Sequence, residues 1–127
     1  MAIYNSTDSI GHFEDAVLTY GHFNTIHPGH IRYLSYAKEL GKNLIVALRG
    51  DKVINGKKRF QFSIKERSEA LNHLYITDHI ICLKEDELSE VVRKIEPKII
   101  VFGREFETNQ DQFITKAIKI QKNLKGK

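Results

Sequence analysis

The sequence predicts an α/β domain, a three-layer sandwich built on a mainly parallel sheet. Three observations carry that expectation. Short β-branched or apolar runs alternate with segments whose apolar residues recur at helical spacing, the pattern of parallel strands joined by crossover helices. One run, Asn43 to Leu48, is apolar almost without a break, as a strand buried on both faces requires. The residues able to do chemistry, around 21–30, 49–51 and 103–105, all follow predicted strands. They therefore fall at strand carboxyl ends, where such sheets bind ligands.

The elements follow in order. Residues 1–11 are polar and read as a loosely packed lead. The expected division is a flexible segment over 1–14 and a folded domain over 15–127. The first strand is Ala16 to Tyr20, made of residues that suit a pleated buried surface. Gly21 lets the backbone turn with no Cβ in the way. His27 then takes a helix N-cap position and Pro28 takes N1, where its missing N–H costs nothing. The helix runs from about Pro28 to Leu40, with Ile31, Leu34, Ala37 and Leu40 inward and Gly41 just beyond its end. After the strand Asn43 to Leu48 comes a loop to Phe62 that is rich in cations: Lys52, Lys57, Lys58 and Arg59. Ser63-Ile64-Lys65-Glu66 is a capping box, so a helix opens there and carries Arg67, Ala70, Leu71 and Leu74. A strand follows over His79 to Leu83. Glu85, Asp86 and Glu87 then charge the start of a helix, as the macrodipole favours, and Leu88, Val91, Val92 and Ile95 are its inward stripe. Pro97 stops it. The next strand is Lys98 to Phe102, and a last helix spans about Gln110 to Leu124.

Bulk properties narrow the function. The 127 residues make one domain, and a hydrophobic content of 41% suffices for a core. The formal charge of +4 suits an anionic substrate, but the lysines are spread along the chain, so no nucleic-acid partner is expected. The single cysteine, Cys82, lies in an apolar run and reads as a buried inert thiol. No long apolar segment and no signal-peptide pattern is present, so no membrane partner and a cytoplasmic location are expected.

The chemistry centres on residues 21–30. His27 and His30 are three apart and share one helix face. Both stand at the positive end of a helix, beside first-turn N–H groups, and Gly29 keeps that turn bare. This is an anion site, and phosphate is the obvious anion. Two histidines at this spacing also fit a cap and a surface residue, or a metal pair. Metal ligands on a helix more often sit four apart and need a third partner. For the cationic loop, a solvated surface stands beside phosphate contact; for Arg67, an exposed helix arginine stands beside a binding role. Asp51 reads as a turn residue or a site residue.

The stretch Thr19-Tyr20-Gly21-His22-Phe23-Asn24-Thr25-Ile26-His27-Pro28-Gly29-His30 resembles the T-Y-G-x-F-D-x-x-H-x-G-H signature of the cytidylyltransferase-like nucleotidylyltransferases. It is similar to glycerol-3-phosphate cytidylyltransferase and to the nucleotidyltransferase domain of bifunctional heptose synthases. The similarity continues through Ala37 to Gly41, Leu44 to Ala47, Asp51, Glu66-Arg67 and Asp78. The resemblance implies a Rossmann-like fold and transfer of a nucleoside monophosphate from CTP or ATP to a sugar or polyol phosphate. It implies His27, His30 and Lys58 as catalytic residues. It implies nucleotide contacts from Thr19, Tyr20, Gly21, His22, Phe23, Asn24, Gly29, Asp51, Lys57, Arg67, Gly103, Arg104 and Glu105. It also implies Mg²⁺ carried with the triphosphate, with no metal site built from protein ligands alone, and a homodimer. The heptose-synthase likeness leaves room for a further domain beyond Lys127.

The sequence departs from the family pattern at three points. Asn24 replaces the usual Asp. Tyr75 stands where the glycerol-3-phosphate enzyme has a phosphate-reading arginine. The closing R-T-x-G-I-S-T-T motif is absent. The missing closing motif and Asn24 support an alternative, a nucleotide-binding module without transfer activity.

Overall fold

The computed structural model describes residues 2–8, 10–21, 23, 26, 28–50, 63–84, 88–102 and 118. Among these the order is β1 (Ala2–Tyr4), β2 (Ala16–Gly21), α1 (Pro28–Lys38), β3 (Asn43–Leu48), α2 (Ile64–Asn72), β4 (His79–Cys82), α3 (Leu88–Ile95) and β5 (Ile99–Phe102). The five strands form one sheet in the order β1-β4-β3-β2-β5. Every pairing is parallel, with Leu18 opposite Ile45 on one side and Ile100 on the other. The fold is the Rossmann-like α/β architecture that the alternation of elements predicts.

Alternation along β2 sorts the core into two layers. Ala16, Leu18 and Tyr20 join Ile45, Ala47 and Ile81 on one face, which α3 covers with Leu88, Val91, Val92 and Ile95. Ile118, the described part of the expected last helix, packs against the same layer. Val17, Leu44, Val46, Leu48, Ile80 and Cys82 line the other face, under Leu34 and Ala37 of α1 and Leu71 of α2. The four apolar residues of α3 are at most 1% exposed. Each stabilises the fold by about 1.5–3 kcal/mol, an upper estimate because the unfolded chain is itself partly compact.

The capping box at Ser63 forms as predicted. Ser63 Oγ accepts from the Glu66 N–H at 3.2 Å, and Glu66 Oε1 accepts from the Ser63 N–H at 3.2 Å. Two expectations are corrected. The lead is not loosely packed throughout: Ala2 to Tyr4 pair with β4, and Thr7 and Ile10 are buried. Lys94 Nζ donates to the Thr7 carbonyl at 2.6 Å, tying the lead to α3, while Phe13 stacks on His79 at 4.3 Å. A three-residue strand is too short to show a period, and β4's open edge supplies what the local sequence lacks. In α1, Ile31 is not inward but 39% exposed. The buried stripe is turned toward Leu34 and Ala37, with Tyr33 packed beside it.

The amino ends of the strands are held by charge. Asp78 accepts hydrogen bonds from the Leu44 N–H at 2.7 Å and from the Lys38 ammonium. Burial pushes its carboxyl up, but these two donors outweigh it and hold it below the usual carboxylate range. Lys98 likewise bonds Asp15 at 3.1 Å and lowers that carboxyl. Burial lowers the His79 imidazole. With these groups gathered at one end of the sheet, the other end is left for a ligand.

Candidate functional site

Strands β2, β3 and β4 are laid down outward from β2, and β5 then returns to the opposite side of β2. The strand order therefore reverses between β2 and β5. In an open parallel sheet the crevice at such a switch binds ligands at the strand carboxyl ends. The turn into α1 leaves β2 at this point, and residues 103–105 follow β5.

The exits of β2 and β3 and the helix α2 are knitted together. The Arg49 N–H donates to the Gly21 carbonyl at 2.9 Å, and Arg67 Nη1 donates to the Arg49 carbonyl at 2.7 Å. Arg67 is only 1% exposed, so the reading of it as a solvent-exposed helix arginine is wrong. Its position follows from spacing, because Arg67 and Leu71 are four apart on the inward face of α2. Buried under the strand exits, its guanidinium favours an anion there. Gly50, next in the chain, packs against β4's exit. A Cβ on it would lie 2.2 Å from the Leu83 carbonyl oxygen.

Phe23 has φ 49°, in the left-handed region, and its side chain is only 4% exposed. Such a conformation costs a non-glycine residue of order 1–3 kcal/mol and persists only where packing fixes it. The Phe23 ring lies 5.3 Å from the His30 ring and 6.4 Å from the Tyr33 ring, nearly parallel to the latter. Helix α1 opens at Pro28 as expected, with Gly29 and His30 half-buried in its first turn. The positive end of its dipole thus stands beside the switch point.

The structure therefore places Phe23, two residues beyond Gly21, against His30 in the first turn of α1 with Gly29, and places Arg67 under the β3 exit at Arg49. Thr19 and Tyr20 lie within β2 as buried side chains on opposite faces. Thr19 Oγ1 donates to the Ile45 carbonyl at 3.1 Å, and Tyr20 packs in the layer under α3. His22, Asn24, His27, Asp51, Lys57, Lys58, Gly103, Arg104 and Glu105 lie outside the described residues. Among the described residues, no group of three or more His, Cys, Asp or Glu could hold a metal ion, and no helix is long and apolar enough to cross a membrane. Tyr33, which sequence reasoning passed over, joins the site through Phe23. Its place one helical turn after His30 is the signal that could have found it.

Comparison with known proteins agrees with this fold. Residues 18–125 match the family model described as cytidylyltransferase-like. The chain is 34% identical over 106 residues to the bifunctional protein HldE of Coxiella burnetii, a match covering 81% of this chain and 22% of that protein. It is 32% identical over 111 residues to the FAD synthase of Methanocella paludicola, covering 87% of this chain and 78% of the synthase. The crystal structure of a lipopolysaccharide core biosynthesis protein from Thermoplasma volcanium superposes with a TM-score of 0.69 at 29% identity, covering 84% of this chain and 88% of that one. The matched region is thus about a fifth of the bifunctional relatives and most of the synthase.

Proposed function

Because this chain belongs to the cytidylyltransferase-like family, we propose that it moves a nucleoside monophosphate from CTP or ATP onto a sugar or polyol phosphate and releases pyrophosphate. The observation that carries the proposal is the reversal of strand order between β2 and β5 with the start of α1 and His30 following β2, while the buried Arg67 bonds the β3 exit next to β2. The lipopolysaccharide relative favours a sugar phosphate as acceptor. The FAD synthase relative favours ATP, since FAD carries an adenylyl group.

On this reading a phosphate oxygen of the acceptor attacks the α-phosphorus. A new P–O bond forms, the α–β bridging P–O bond breaks, and its electron pair leaves on pyrophosphate. No protein nucleophile is needed, so the protein acts by position and charge. His27 and His30 donate to phosphate oxygens as charge builds at the α-phosphorus, aided by the start of α1. Lys58, with Lys57, holds the β- and γ-phosphates, and Arg67 adds positive charge from below. Asp51, Gly103, Arg104 and Glu105 contact the nucleotide or the acceptor. Mg²⁺ arrives on the triphosphate as part of the substrate.

The second reading, nucleotide binding without transfer, is favoured by Asn24 in place of an aspartate. Pyrophosphate release separates the two. Acceptor-dependent release supports transfer, whereas tight nucleotide binding with no release from any sugar or polyol phosphate tried supports the binding module. The family likeness also favours a homodimer, which sedimentation of the purified chain tests.

A further inference from the structure

Helix α1 follows β2 at the switch point and β5 lies on the other side of it, and the Tyr33 side chain joins the two. Tyr33 lies on α1, and its hydroxyl donates to the Val101 carbonyl in β5 at 2.5 Å. Its ring lies nearly parallel to Phe23, at an interplanar angle of 9°. Phe23 in turn meets His30 at 5.3 Å with the rings tilted by 50°. His30 and Tyr33 are three apart on α1, so the ring of Phe23 is shared by residues on one helix face.

We propose that Tyr33 is a positioning residue that clamps α1 to β5 across the switch point and, through Phe23, fixes the orientation of the His30 imidazole. The hydroxyl sets the distance between helix and strand. Val101 lies two residues before Gly103, so the same bond sets where the chain leaves the sheet. The Tyr33 ring helps hold Phe23 in its left-handed conformation, which an isolated chain would avoid. With Phe23 held, His30 has a fixed aromatic wall and loses rotamer freedom before any ligand arrives. Catalysis by positioning is sensitive to displacements of an ångström, so the clamp acts on rate more than on binding.

The inference rests on the transfer reading for its kinetic arm only. The test compares Tyr33→Phe with Tyr36→Phe, which removes the same hydroxyl from a position that is 59% exposed on the same helix. Two quantities are read: kcat and KM for pyrophosphate release, and the NMR resonances of the His30 ring protons in the free protein. Tyr33→Phe is expected to lower kcat about tenfold with KM for the triphosphate nearly unchanged. It is also expected to move the His30 resonances and to keep the wild-type circular dichroism. Tyr36→Phe is expected to do neither. An unmoved kcat or unmoved His30 resonances in Tyr33→Phe overturns the proposal. If the wild type releases no pyrophosphate with any acceptor, the transfer reading alone fails, and the His30 resonances still decide the clamp. Should Tyr33→Phe not fold, the wild type decides: nuclear Overhauser contacts from the Tyr33 ring to Phe23 and from Phe23 to His30 are expected, and their absence overturns the proposal.

Discussion

Replacing Gly50 by alanine should disturb the fold and the site together. Gly50 follows β3 directly, and an added Cβ would lie 2.2 Å from the Leu83 carbonyl oxygen and 2.8 Å from that of Lys84. Both obstacles are main chain, so no side chain can rotate away. The exits of β3 and β4 must separate by close to an ångström, although Leu83 N–H donates to the Leu48 carbonyl at 2.9 Å only two residues before Gly50. Overpacking of this kind costs about 1–3 kcal/mol. Stiffening the unfolded chain by Gly→Ala returns about 0.4–1 kcal/mol where the backbone is compatible, which is less than the clash. The expected net loss is about 1–2 kcal/mol, or roughly 4–7 °C in Tm for a chain of this length. The shift also moves the Arg49 carbonyl that accepts from Arg67, so nucleotide affinity should fall with stability. Differential scanning calorimetry and nucleotide titration read the two effects. A Gly50→Ala protein that melts with the wild type and binds nucleotide equally would refute the close approach and the coupling built on it.

Other expectations concern single side chains. Asp78 has a lowered carboxyl, so its stabilisation is present above the unfolded-state value and is lost as pH falls through the folded one. Asp78→Asn should therefore be less stable than wild type by about 1–2 kcal/mol at pH 7. The gap should close in acid, once pH falls below the folded-state value. Urea melts at pH 7 and in acid check this, and an equal gap at both contradicts it. Arg67→Met keeps the packing and removes the charge. It should weaken nucleotide binding tenfold or more, about the worth of one charged hydrogen bond, and lower stability by about 1–2 kcal/mol because the Arg49 carbonyl loses its donor. A large fall in Tm with unchanged affinity would assign Arg67 to the fold alone. His30→Ala should lower transfer by about 10²–10³-fold and keep the wild-type circular dichroism. An unfolded variant would make His30 structural.

The sequence carried the strand and helix alternation because each principal strand is a compact apolar run and α3 shows an unbroken stripe. It carried the Ser63 cap because a capping box is a local chemical pattern. It did not carry β1, whose Ala-Ile-Tyr is stabilised by pairing with β4 and not by any local signal. Ile31 misled because α1 is rotated to set Tyr33 against β5, a tertiary contact 68 residues distant. Phe23's left-handed backbone follows from its packing against His30 and Tyr33, which no spacing reveals. Thr19 and Tyr20 show the reverse case. Period-two alternation already says that adjacent strand residues point to opposite faces, so they cannot both reach one ligand with their side chains. Arg67's burial was also legible, since its helical partner Leu71 is apolar.

The most direct measurement of the central claim is calorimetric titration of CTP and of ATP, each with Mg²⁺, into the wild-type chain and into His27→Ala/His30→Ala. Selective binding of one nucleotide by the wild type is expected, with its loss in the double variant and both proteins folded by circular dichroism. Equal binding by the two proteins, or no binding of either nucleotide by the wild type, would contradict it.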